Sequence, residues 1–547
     1  MDLLSSDLLM NTISYLSVID SSSLSSSSRR MYYLISQFRR ILGPQLSTSS
    51  SSLAWENQQR RPIDNYKHCL SRMRTKPNFA LTFTGETGND LCTHLNDVAP
   101  DGLVTLGASS SGIQANCEGR VEHDIDAALM LGNFPPDRTQ IVPFCGDSSY
   151  ESSELQERLA RETRAGENGS TFWKVFIVYV CGSGYYSVDN FVSSLQSKYP
   201  EATIVGGICE SGFISMEVTR EYLSTKSFED LQELLSTYGG GPVKEDAEYD
   251  MALDLVFHAM QKRKYIVEEV DNAIFGLAFG GDVPVRSVVS RGVKSVTGGS
   301  PYADEPSRWV VEDVEFSRPG DPSYLFQGDP DMLKPTHVIR SVRDTESGKI
   351  MSPSAVMASI RQRQPEFVGL RRPDTDGYEL HPLSPFSLQA NTIVLMTDGT
   401  PEQELSIQSA NIDLFVLDAN ACNDHMDSTL EMLKAAAIDD IILGGLMFSC
   451  NGRGPEKRSM LREEMADARR FHKYFPDITL CGFYAGGEIG PMAMAGKRNI
   501  FQCGKAAVQG FTAVFALFIV PAMKPGAFHI DDSPQNILEF IRFRSYR

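Results

Sequence analysis

Arg453 stands between Gly452 and Gly454, just after the apolar run at residues 441–448. A guanidinium on such a turn is placed to enter a cleft and grip a carboxylate through parallel N–H donors. Glu488 holds a matching position in Gly486-Gly487-Glu488-Ile489-Gly490. Together the two would read both ends of an amino-acid-like ligand. An internal ion pair fixing two loops satisfies the same residues equally well. The glycine-rich strand end recurs earlier, at residues 204–213 with Gly207, Glu210 and Gly212, and at residues 103–113 with Ser111 and Gly112. Glycines there admit positive φ and let backbone N–H groups approach a ligand. Three such ends predict related units converging on a shared cleft; tight turns serving only the fold give the same pattern.

Other chemistry is thinly represented. Cys209 and Cys481 each adjoin a glycine turn, but no base is identifiable beside them, and small buried residues fit them better. A cysteine-dependent enzyme remains a third reading, testable with Cys209→Ser and Cys481→Ser. No phosphate loop or nucleophile elbow occurs. Asp374-Thr375-Asp376-Gly377 reads as a turn rather than a calcium loop. The nine histidines lack metal-ligand spacing. No catalytic residue, metal or cofactor is therefore expected. A net charge of −19 argues against nucleic acid as a partner. Ten scattered cysteines without a C-x-x-C pair read as reduced thiols of the cytoplasm or nucleus. The apolar run at residues 510–523 is too short for a membrane span and ends near Pro521, so a buried strand is expected.

The elements that must position these residues alternate. Leu4, Leu8, Leu9, Ile13 and Leu16 recur at helical spacing in a small N-terminal helical unit, residues 1–46. The serine run at 47–52 reads as a flexible linker, and the basic stretch at 55–76 as a solvated helix face, within a linker region 47–77. Strands and helices then alternate through residues 78–316, with a strand–helix–strand unit over 173–208. A partly helical insertion interrupts them near 217–270. Residues 317–335, rich in Pro, Gly and Asp, read as an interdomain connection. The same alternation returns over 336–525, and 526–547 is a C-terminal tail. The expected class is α/β (mixed α+β): a small helical unit, then a two-lobed body with two related halves.

Two sets of residues carry a resemblance. Leu4-Ser5-Ser6-Asp7-Leu8-Leu9, Ile13-Ser14-Tyr15-Leu16, Asp20, Leu24 and Ser28-Arg29 resemble an F-box. Ser5 stands where that family usually has proline. Residues 444–454 and 482–490 resemble the C-terminal half of the FIST domain, and residues 79–300 its N-terminal half, through 107–112 and 206–212. The F-box resemblance implies docking of Leu4, Leu8, Leu9, Ile13 and Leu16 onto a Skp-family adaptor of a cullin–RING ubiquitin ligase; a helical cap on the next domain is the simpler alternative. A body selecting a protein substrate would then act by proximity, without catalytic residues. The FIST resemblance also implies a sensory module for small ligands such as amino acids. Neither reading involves nucleic acid or a membrane.

Overall fold

The computed structural model describes residues 44–51, 62–85, 102–117, 120–122, 127–147, 152–237, 249–260, 263–296, 307–318, 320–321, 336–360, 365–372, 378–383, 391–396, 407–454, 459–492, 500–501 and 506–521. The F-box-like residues Leu4, Leu8, Leu9, Ile13 and Leu16 lie outside them, as does the tail 526–547. Among the described residues, the strands form three sheets of six and one of eight. The mixed α/β class is as expected.

The first sheet orders its strands Gln45–Ser51, Ala127–Asn133, Phe79–Thr84, Val104–Ser109, Ser211–Glu217 and Tyr265–Val270. The second runs Ala506–Gln509, Glu488–Pro491, Thr203–Ile208, Trp173–Cys181, Ala273–Gly281 and Thr139–Gly146. The third runs Val285–Arg291, Thr512–Pro521, Asp440–Cys450, Leu480–Ala485, Ile113–Cys117 and Arg120–Glu122. Each holds one parallel pair: Phe79–Thr84 with Val104–Ser109, Trp173–Cys181 with Thr203–Ile208, and Asp440–Cys450 with Leu480–Ala485. Parallel neighbours need a crossover, which helices Val188–Lys198 and Ala466–Tyr474 supply in the second and third sheets. The fourth sheet is built around Trp309–Ser317, Thr336–Asp344, Phe367–Arg371 and Asn411–Leu417.

A continuous core fills the space among the first three sheets, with Phe79, Phe83, Tyr179, Phe275, Phe448 and Phe483 all buried. Tyr179 packs edge-on against Phe275, Phe448 and Phe483. Removing one such ring from water stabilises the fold by roughly 1.5–3 kcal/mol. Val188–Lys198 lays Val188, Phe191, Val192 and Leu195 on the outer face of the second sheet. Ala419–Ala436 does the same on the third, its start capped by Asp418, which accepts from the Ala421 amide at 2.9 Å. Thr512–Pro521 is a buried strand, and no helix among the described residues is long and apolar enough to cross a membrane.

Several expectations need correction. The serine run is not a flexible linker: Gln45–Ser51 pairs residue for residue with Ala127–Asn133. Its small side chains let helix Pro62–Arg72 lie close, and Ser49 donates to Asn65 at 3.0 Å. That helix is not merely solvated, since its Tyr66 and Cys69, with Met73 just beyond its end, pack on Ala80, Leu129 and Leu131. Within 217–270, helices Arg220–Leu223, Phe228–Thr237 and Tyr249–Met260 form their own apolar cluster, but Tyr265–Val270 returns to the first sheet beside Ser211–Glu217. Hydrogen bonding also crosses the expected boundary between 78–316 and 336–525. Ile113–Cys117 and Val285–Arg291 belong to the third sheet, and Glu488–Pro491 belongs to the second. Ser317, which opens the 317–335 stretch, and Thr336, which follows it, stand opposite each other in one antiparallel pair.

Candidate functional site

The three glycine-ended turns do meet. Tyr484 donates its amide to the Gly112 carbonyl at 2.8 Å, and the Ser110 hydroxyl donates to the Tyr484 carbonyl at 2.7 Å. Gly486 donates to Ile208 at 3.0 Å, and Ile208 donates to Gly487 at 2.9 Å. Glu210 donates its amide to Ser109 at 2.9 Å, while its carboxylate accepts from the Ser111 amide at 3.0 Å. The turns therefore spend these polar groups on one another. Gly207 and Gly212 have a packing reason: a Cβ on Gly207 would lie 2.8 Å from that of Ala485, and one on Gly212 would enter the Phe275 ring. Ser111 and Glu210 are exposed at the edge of this junction, whereas Gly112 is buried.

Arg453 and Glu488 are both fully buried, but they do not pair with each other. The Arg453 guanidinium grips Asp467, with Nε donating at 2.9 Å and a terminal nitrogen at 2.6 Å. Ser449 also donates to that carboxylate. Burial alone would lower the Arg453 pKa, but Asp467 more than offsets it and holds the group above its ordinary range. Arg453 is thus an internal anchor tying the strand Asp440–Cys450 to helix Ala466–Tyr474. Glu488 accepts through Oε2 from the Thr512 amide at 3.2 Å and hydroxyl at 2.8 Å, leaving Oε1 without a partner. Burial pushes its carboxyl up to about 8, against the opposing pull of Thr512 and Arg453. Cys450 stands beside it, and its thiol is raised by burial and by Glu488.

Beyond Gly486 and Gly487 opens a cavity of about 760 Å³. Helix Val188–Lys198 forms one wall, Phe367 and residues 380–383 another, and residues 507–512 a third. Arg291 and Gly292 line it where the chain leaves the third sheet for strand Val293–Ser295 of the fourth. Arg291 is 3% exposed. Its amide donates to Nδ1 of buried His425 at 3.1 Å, and its guanidinium donates to Gln509 and to the carbonyls of Pro491 and Met492. His425 is pushed down to about 3, by burial first and then by Arg291 and Arg453, so it stays neutral. Neither Arg291 nor this cavity was anticipated from the sequence. The available signal was Arg291 directly after the small and apolar run Ser287-Val288-Val289-Ser290, where a charge needs a reason.

Comparison with known proteins adds context. A FIST C domain is found at residues 358–491. An uncharacterized protein of Mycobacterium tuberculosis H37Rv is 37% identical over 110 residues, 20% of this chain and 25% of that protein. A second, from Mycobacterium bovis, is 36% identical over 110 residues, with the same shares. Human F-box only protein 22 is 31% identical over 157 residues, 27% of this chain and 38% of that protein. The chain thus spans about a quarter of the length of the mycobacterial relatives it matches.

Proposed function

We propose that the chain is a non-catalytic substrate-receptor subunit of a Skp–cullin–F-box ubiquitin ligase. The observation that carries this reading is the likeness to human F-box only protein 22, in a chain holding a FIST C domain. The N-terminal leucine pattern agrees with it. Leu4, Leu8, Leu9, Ile13 and Leu16 would dock a Skp-family adaptor, and residues 78–316 would form the FIST N-terminal-like half of the body. That body would hold a protein substrate near a ubiquitin-charged enzyme and raise its effective concentration. Such an assembly works in the cytoplasm or nucleus. A receptor needs no nucleophile, and the Cys209 thiol fits that role: it donates to the Val180 carbonyl at 3.4 Å, and burial holds its pKa well above the ordinary thiol value. The amino-acid-sensing alternative at Arg453 and Glu488 is disfavoured, because Asp467 already occupies the guanidinium.

The test is a pull-down with a purified Skp-family adaptor. It compares the full chain, a chain beginning at Pro44, and Leu8→Asp with Leu9→Asp. Starting at Pro44 keeps the edge strand Gln45–Ser51 whole. The full chain should bind and both variants should not. A folded full chain that ignores the adaptor would sink the receptor reading.

A further inference from the structure

The cavity beside Gly486 and Gly487 contains a charge that the protein does not balance by contact. Arg291 is buried, yet each partner of its guanidinium is neutral: the Gln509 side-chain oxygen and two backbone carbonyls. Its Nε has no acceptor. Arg453, by contrast, buries an equal charge against a bidentate carboxylate. A buried cation without a counter-ion costs several kcal/mol, and proteins keep one chiefly where an anion completes it. Burial draws the Arg291 pKa down to about 9, with Glu379 and Glu488 pulling the other way, so the group still carries its proton near neutrality. The space next to it is large enough for a small molecule, and its walls are mostly apolar: Val188, Phe367, Leu383, Val394 and Val508 line it.

We propose that this cavity binds a small organic monocarboxylate, with its carboxylate completing Arg291 and its apolar body lying against these walls. The three bonds use three of the five guanidinium donors, and the pair left over suits one carboxylate; a phosphate would need several more. The nearby Glu379 also disfavours a multiply charged ligand. The site differs from Arg453 in position and chemistry, and it goes beyond the receptor reading because binding here does not require an adaptor.

The experiment uses the full chain and decanoate, titrated by calorimetry and followed by thermal shift, with decan-1-ol as the uncharged probe of equal length. Decanoate should bind and raise the melting temperature, and decan-1-ol should bind about tenfold more weakly or worse. Arg291→Gln should cut decanoate affinity by about tenfold or more while leaving decan-1-ol unchanged. Arg291 also holds Pro491, Met492 and Gln509 together, so a second variant protects the test against misfolding. Gly510 lines the cavity, and a Cβ there would meet nothing within 4 Å. Gly510→Phe should therefore fold and block entry of both probes. Equal binding of decanoate and decan-1-ol, or no decanoate binding by the folded chain, overturns the proposal. So does wild-type decanoate affinity in Gly510→Phe or in a folded Arg291→Gln.

Discussion

Arg453, Glu488 and Arg291 are three buried charges with three different fates. Arg453 is locked to Asp467, so Asp467→Asn should leave an uncompensated guanidinium in the core. Breaking one side of a buried pair costs about 3–5 kcal/mol, and urea unfolding should show it as a drop in midpoint at unchanged slope. Glu488 should reveal itself through pH. Its folded pKa lies near 8, above the ordinary 4.5, so between those values the folded chain holds the proton more firmly than the unfolded one. Its contribution to stability is full below pH 4.5 and is lost as pH rises through about 8. Glu488→Gln should keep the Thr512 contacts while flattening that decline, read from urea midpoints at about pH 6 and about pH 9. A variant that tracks the wild-type slope would mean another group carries it. Of these residues, the sequence marked Arg453 and Glu488 as special through their glycine settings. It could not reveal Asp467 as the partner of Arg453, because that carboxylate sits on a helix beside Arg469, Arg470 and Lys473, any of which offers it a nearer partner in sequence.

At the scale of elements, the recurring glycines mark close contact between neighbouring strands. Gly206 and Gly482 each sit on the second strand of a parallel pair, opposite Val178 and Met447. A Cβ on either would come within 1.8 Å of that partner's carbonyl oxygen. Gly107 repeats the position in the first sheet, where a Cβ would meet the Thr82 hydroxyl at 2.2 Å. Gly482→Ala should therefore cost about 3 kcal/mol through overpacking, whereas Gly510→Ala, in open space, should stay within about 0.5 kcal/mol. Comparable losses in both would refute the packing account. This is why three glycine-ended strands were legible from sequence as related units while their purpose was not: a glycine needed beside a ligand and one needed beside a strand look alike. The opposite failure occurred at Gln45–Ser51. Serine composition says flexible, but pairing with an apolar strand and cover from helix Pro62–Arg72 override it. Hydrogen exchange should find the amides of this strand that face Ala127–Asn133 protected; uniform fast exchange would return it to a linker.

On the scale of the whole molecule, the sequence reads as two successive halves, but the sheets interleave them. Antiparallel neighbours distant in sequence leave no local signature, so periodicity that located strands such as Trp173–Cys181 and Leu480–Ala485 could not say which sheet received them, and it missed Gln45–Ser51 and Trp309–Ser317 altogether. The second sheet takes Glu488–Pro491 and Ala506–Gln509 from the end of the described chain, and the third takes Ile113–Cys117 and Val285–Arg291 from its first half. The central core depends on both: Tyr179 packs on Phe448 and Phe483, and Phe79 stacks on Phe518. A fragment ending at residue 316 would keep the first sheet yet lose the middle strands of the third, exposing one face of that core. Such a fragment should lack cooperative urea unfolding, and co-expression with residues 336–547 should restore it. If the first fragment alone unfolds in one sharp transition, the halves are independent lobes and the shared strands are only a docking arrangement. If it does not, the cavity at Arg291 inherits a consequence. Its walls come from both halves, so a carboxylate bound there would stabilise their union, and the decanoate-induced rise in melting temperature should belong to the single transition of the entire body.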